Sequence, residues 1–190
     1  LRGVVLTDSI QGILMISVSI IALFWVSAKV DFSQVSSLGN LMYVPNPIWT
    51  PKFFLSLTIP WFFFALTNPQ VFQRMFISKD LQALRKMIVY FGLFGVLYTV
   101  IVTLIGIELK ILTIKGLFPL VEYRDNVTPT LLSIMPEWLS LLLALSIMAA
   151  AITTANSIVL TLSSMVSRDI VKEKGILYGK TAIILLTAVI

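Results

Sequence analysis

Thr153-Thr154-Ala155-Asn156-Ser157 places three hydroxyls and an amide in the middle of an apolar run extending from Glu137 to Asp169. The run is long enough to span a bilayer, and in hydrocarbon each polar group needs a protein or ion partner. At about 100° per residue, Ser146, Ala150, Thr153, Thr154, Ser157, Thr161 and Ser164 fall within an arc of roughly 100°, a continuous small, oxygen-bearing face. Neutral oxygens suit a hard monovalent cation, which needs several short-range dipoles but would be held too tightly by many carboxylates to leave in each cycle. The same face equally suits close helix packing, with the hydroxyls bonded back to backbone carbonyls. The stripe alone leaves both readings open.

A second polar interruption lies between Phe53 and Phe76. Pro60 sits inside this apolar run, and Thr67-Asn68-Pro69-Gln70 divides it before Val71–Phe76. Proline lacks an N–H and crowds the preceding turn, so the carbonyls of Ser56 and Ala65, each four residues before a proline, lose their helical donors. A helix broken at membrane depth exposes backbone dipoles to a ligand; an ordinary proline kink satisfied by its neighbours is the other reading. Trp61-Phe62-Phe63-Phe64 beside the break suits a cavity wall or a lipid-facing surface, and four consecutive aromatics cannot all face one site.

The elements that position these residues follow from composition. The 190-residue chain is 58% hydrophobic and 12% charged, with its apolar residues gathered in long runs, as in a polytopic membrane protein of all-α class, a transmembrane helical bundle. Approximate spans fall at 8–28, 53–76 (broken near 60–69), 87–107, 138–166 and 176–190. The last is shorter than the roughly 20 residues needed to cross the hydrocarbon, and Leu1-Arg2-Gly3 has neither an initiator Met nor a signal-peptide layout. An internal fragment of one transmembrane domain is therefore expected.

Lys and Arg set the orientation. Arg74, Lys79, Arg85 and Lys86 flank Asp80 after the second span, and Arg168, Lys172 and Lys174 accompany Asp169 and Glu173 after the fourth. Loops 77–86 and 167–175 are thus expected in the cytoplasm of a multi-pass cell-membrane protein, with the N-terminal end on the same side. The longer, charge-balanced connection holding Glu108, Lys110, Lys115, Glu122, Arg124, Asp125 and Glu137, and the polar loop from Lys29 to Lys52, belong outside. Asn126-Val127-Thr128 there is an acceptor sequon, although Pro129 follows it. The net charge of +5 marks membrane sidedness rather than a nucleic-acid partner. No His or Cys is present, which excludes disulfides, thiolate chemistry and zinc-type sites within this segment. The first four spans carry no ionisable group deep in the hydrocarbon, Lys180 can snorkel from the start of the fifth, and coupling to a metal cation is favoured over coupling to protons.

Three stretches, LRGVVLTDSIQGILM, NPQVFQRMFISKD after the broken helix, and MAAAITTANSIVLTLSSMVSRDIV entering a basic loop, resemble the sodium:solute symporter family of proline, pantothenate, monocarboxylate and sugar carriers. The resemblance covers essentially the whole chain. It implies a LeuT-type inverted repeat, with the first four spans as core helices five to eight and the last as the start of the ninth. In that family sodium is held between core helices one and eight, the latter supplying a backbone carbonyl and two adjacent hydroxyls. The matching positions are the Ala150 carbonyl and the side chains of Thr153 and Thr154, where family members commonly carry Ser-Thr or Ser-Ser. Trp61 and Pro69 match cavity positions of proline carriers, whereas Ala65 stands where those carriers commonly have an aromatic. Phe64 is the candidate for the inner aromatic gate that the resemblance implies. Thr7-Asp8 with Gln11 matches a further family motif and reads equally as a helix cap.

The expectation is a sodium-coupled secondary transporter, a symporter of a small organic solute of the amino-acid, organic-acid or sugar class, working by alternating access in a lipid bilayer. Sodium is the coupling ion, no other cofactor is called for, and no enzyme is expected without clustered carboxylates, His or Cys. A proton-coupled or uncoupled carrier of the same fold, or a symporter-like sensor domain, is the alternative.

Overall fold

The computed structural model describes residues 2–43, 45–47, 49–166, 169 and 184. Among them there is no strand. The helices run in the order α1 Arg2–Ser27, a 3-10 segment Phe32–Met42, α2 Pro51–Phe62, α3 Phe64–Thr67, α4 Pro69–Met75, α5 Leu81–Ile114, a 3-10 turn Arg124–Asn126, α6 Val127–Ile134 and α7 Glu137–Met165. Segments Leu6–Ser27, Leu81–Ile114 and Glu137–Met165 are long and apolar enough to cross a membrane. The segment 176–190, expected as a further span, lies outside the described residues apart from Ile184, as does most of loop 167–175.

Local chemistry sets the helix ends. Asp80 accepts the Ala83 amide at 2.7 Å through its side chain and the Leu84 amide at 3.0 Å through its carbonyl, capping α5. At the other end Gly116 adopts φ 71°, and the Leu117 amide reaches back to the Leu112 carbonyl at 2.9 Å. This is the closure in which a left-handed glycine turns the chain out of a helix. The helix is longer than the apolar run 87–107 within it, because caps stop a helix and hydropathy does not. Met135, extended at ψ 156° ahead of Pro136, ends α6, and the Pro136 carbonyl then accepts the Leu139 and Ser140 amides as α7 begins.

The chain divides into two compact units. The first comprises Leu1–Ser56 and Lys86–Ala150, the second Leu57–Arg85 and Ala151–Ile190. In the first, Val18, Ala22 and Val26 recur every fourth residue on α1 and join Leu109, Ile111 and Leu112 of α5, Leu131 of α6, and Met135 with Leu139 in one cluster. Ala22, Val26 and Leu139 are fully enclosed. Between helices in lipid, van der Waals fit rather than water exclusion supplies the attraction, so a small residue such as Ala22 earns its place by letting backbones approach. Beside this cluster the exposed Asp31 caps the Ser33 amide at 3.1 Å and lies 3.8 Å from Lys115 Nζ. The Ser33 hydrogen bonds first, and Lys115 after them, hold its carboxyl below the usual carboxylate range.

In the second unit the helix broken near 60–69 has two interruptions. Pro60 lies inside α2 without breaking it. The helix gives way at Phe63 (φ −87°, ψ 0°) and again at Asn68 (φ −90°, ψ 109°). Asn68 then starts α4: its side chain accepts the Gln70 and Val71 amides at 3.0 and 3.3 Å, with Pro69 at the first helical position. There proline's fixed φ helps and its missing N–H costs nothing.

Candidate functional site

One face of α7 changes chemistry along its length. At 100° per residue Leu139 and Leu143 share the arc of Ser146, Ala150 and the later hydroxyls. Leu139 and Ser146 are buried within the first unit. From Ala151 onward, in the second unit, the buried side chains among the described residues are Ser157, Thr161 and Ser163. Ala150 and Thr153 are half-buried and Thr154 is exposed. The three positions expected to contribute cation oxygens therefore follow one another over a single turn of one helix, with Thr153 nearer the enclosed face and Thr154 at its rim.

Two consecutive side chains of α4 meet that hydroxyl face. The Arg74 guanidinium donates to Ser157 Oγ. Gln73 Oε1 lies 3.2 Å from Ser164 Oγ, whose proton also faces the Thr161 carbonyl at 2.8 Å, the back-bond common for a serine inside a helix. Ser157 and Ser164 stand two turns apart, about 10.5 Å along the axis. Long, flexible side chains on α4 are what let neighbouring residues reach both.

At the break, Trp61 and Phe64 sit one turn apart with ring centroids 5.1 Å apart and planes inclined by 38°. Phe64 is half-buried, while Trp61, Phe62 and Phe63 are exposed, so Phe64 is the most enclosed of the four aromatics. The structure brings Trp61 and Phe64 together; Pro69 stands exposed at the start of α4. Thr67 Oγ1 donates to the Phe63 carbonyl at 3.1 Å, an acceptor that the Leu66 and Thr67 amides also reach at 3.0 Å, so the hydroxyl is bonded back to its own backbone.

A further polar pair lies in the first unit. Glu108, assigned by sequence to an external connection, belongs to α5 and is only 5% exposed. The Ser27 hydroxyl at the end of α1 donates to its Oε1 at 2.6 Å, and its buried Oε2 has no hydrogen-bond partner among the described residues.

The sodium:solute symporter family model matches residues 1–175. The chain belongs to the sodium:solute symporter family. No curated protein and no solved structure compared with it matches. Membership in a transporter family, together with three helices long and apolar enough to cross a membrane, establishes a membrane-embedded protein. It also accounts for the apolar surfaces: Ile88, Phe91, Val96 and Val100 of α5 and Phe24 of α1 are exposed, and in hydrocarbon such faces need no polar cover.

For this symporter-family chain, sequence reasoning assigned Arg74 to a basic connection, whereas it belongs to α4. The Arg74–Ser157 contact joins residues 83 apart, and Ser27–Glu108 residues 81 apart. No local pattern encodes either. Ser163 is buried although it lies outside the hydroxyl arc, about 100° round the helix from Ser164. The Asn68 cap did carry a signal, since Asn followed by Pro marks a helix start.

Proposed function

We propose that this chain works in sodium-coupled symport, with an inward sodium flow driving uptake of a small organic solute by alternating access. The observation that carries the reading is the chemistry of α7 beyond Ala150, where the buried side chains among the described residues are serines and threonines. A carbonyl at Ala150 and hydroxyls at Thr153 and Thr154 are hard, neutral donors able to replace part of an alkali ion's hydration shell without trapping it. The remaining ligands come from other segments of the transporter. Ion entry favours the outward-open arrangement, and ion loss at low internal sodium favours inward release. Trp61, Phe64 and Pro69 border the solute path at the broken helix, with Phe64 as its inner aromatic gate. The solute belongs to the amino-acid, organic-acid or sugar class. The short basic connections 77–86 and 167–175 and the N-terminal end face the cytoplasm of the cell membrane.

A proton-coupled carrier is the rival reading with an observation behind it, because Glu108 is a buried carboxyl with one oxygen unpartnered among the described residues. Solute uptake by the intact transporter in proteoliposomes, with sodium replaced by choline at fixed pH, separates the two. Sodium coupling requires uptake to collapse in choline and requires Glu108→Gln to retain sodium dependence. Uptake that persists in choline and follows the pH gradient instead rules it out.

A further inference from the structure

We propose that Arg74 is a built-in competitor of the coupling cation, its guanidinium supplying positive charge at the hydroxyl face of α7 when the ion is absent and weakening the ion's hold when it is present. The inference rests on the sodium reading above and adds to it a residue that sets affinity and release.

Three observations carry it. The guanidinium of Arg74 donates to Ser157, a buried hydroxyl. Ser157 follows Thr154 by three residues and Thr153 by four on one face of α7, so the seat of the guanidinium lies about one turn, roughly 5.4 Å, from the proposed ion ligands. Gln73 meanwhile meets Ser164 at 3.2 Å. That neutral contact holds α4 beside α7 independently of the charged one, so the Arg74 side chain can leave Ser157 without separating the two helices.

The electrostatic consequence is direct. Arginine carries a fixed positive charge and accepts no hydrogen bond, so it can act toward the ion only as a repelling charge and toward the face only as a donor. A sodium ion at Thr153 and Thr154 and a guanidinium at Ser157 stand roughly 6–9 Å apart, where two like charges at an effective dielectric of about 20 weaken ion binding by roughly 10- to 100-fold. Loading therefore favours displacement of Arg74 from Ser157, and its return favours ion release.

The test is a sodium titration of solute uptake and of direct radiolabelled sodium binding by the intact transporter. Arg74→Gln, which keeps a donor for Ser157 and removes the charge, is expected to lower the half-saturating sodium concentration by about tenfold or more. Arg74→Lys, which keeps the charge, is expected to stay within about threefold of the parent and serves as the control for folding. Thr153→Ala with Thr154→Ala, run alongside, is expected to remove sodium dependence. An unchanged or raised half-saturation in Arg74→Gln, or equal shifts in the Gln and Lys variants, overturns the role of Arg74 while leaving the Thr153/Thr154 site standing. Sodium dependence that survives the double threonine change removes that site, and the competitor role with it.

Discussion

In the unit formed by Leu1–Ser56 and Lys86–Ala150 the enclosed side chains are mostly aliphatic, with Val18, Ala22 and Val26 of α1 set among Leu109, Ile111, Leu112 and Leu139. In the unit formed by Leu57–Arg85 and Ala151–Ile190 each buried side chain among the described residues is a serine or threonine. Membrane helices adhere through close fit or through hydrogen bonds, and the two units divide these means between them. Aliphatic contacts are short-ranged and intolerant of displacement, which suits a scaffold. Hydroxyl contacts can exchange one partner for another, including an ion, with little change in packing. The contrast is what the proposed ion chemistry on α4 and the later part of α7 would require.

Removing hydroxyls from one unit and volume from the other separates the two roles. Thr153→Ala with Thr154→Ala is expected to abolish sodium-stimulated uptake while shifting the thermal midpoint of the purified transporter by only a few degrees, since both side chains reach the edge of the buried face. Leu139→Ala should do the reverse. Emptying a fully enclosed site costs about 2–5 kcal/mol, so the midpoint falls markedly while the folded fraction keeps its sodium half-saturation. If Leu139→Ala altered sodium affinity as strongly as the threonine pair, the division between scaffold and ion chemistry would be wrong.

Smaller changes sharpen it. Ser27→Ala leaves Glu108 with neither carboxylate oxygen satisfied by its present partner, a loss of about 1–3 kcal/mol for a buried polar group; thermal unfolding of the single variant against Glu108→Gln and the double variant measures the coupling. Asn68→Ala removes the cap of α4 and is expected to lower stability by about 1 kcal/mol. Because α4 carries Gln73 and Arg74, it should also loosen their grip on Ser164 and Ser157, visible as faster amide exchange over 70–75. Asp31→Asn should be the quietest. The lowered pKa of Asp31 means that its favourable contacts are fully present above about pH 4 and disappear as the pH falls through its lowered range. An exposed pair of this kind leaves the neutral-pH midpoint within about 1–2 °C of the parent.

Much of this arrangement was legible in the sequence. Apolar runs located the long helices because hydrocarbon demands them, and the seven-position arc on α7 located the oxygen-bearing face because helical periodicity is local. Asn68-Pro69 announced an interruption, though its second meaning as the start of α4 went unread. What stayed hidden is what depends on distant partners. Glu108 looked like a loop charge because a carboxylate ends a hydropathy run, yet Ser27 supplies a donor that lets it remain inside α5. Arg74 looked like a sidedness marker because basic residues gather there, yet its length carries the charge back to Ser157. Thr153 and Thr154 looked equivalent, and only the fold separates the half-buried one from the exposed one.

The most direct measurement of the central claim is equilibrium binding of radiolabelled sodium to the purified intact transporter, parent against Thr153→Ala/Thr154→Ala, with Thr161→Ala as a buried hydroxyl control on the same face. An ion held at Thr153 and Thr154 requires saturable binding in the parent and in the Thr161 variant and its loss in the double variant. Saturable sodium binding of parental affinity in the double variant would contradict it.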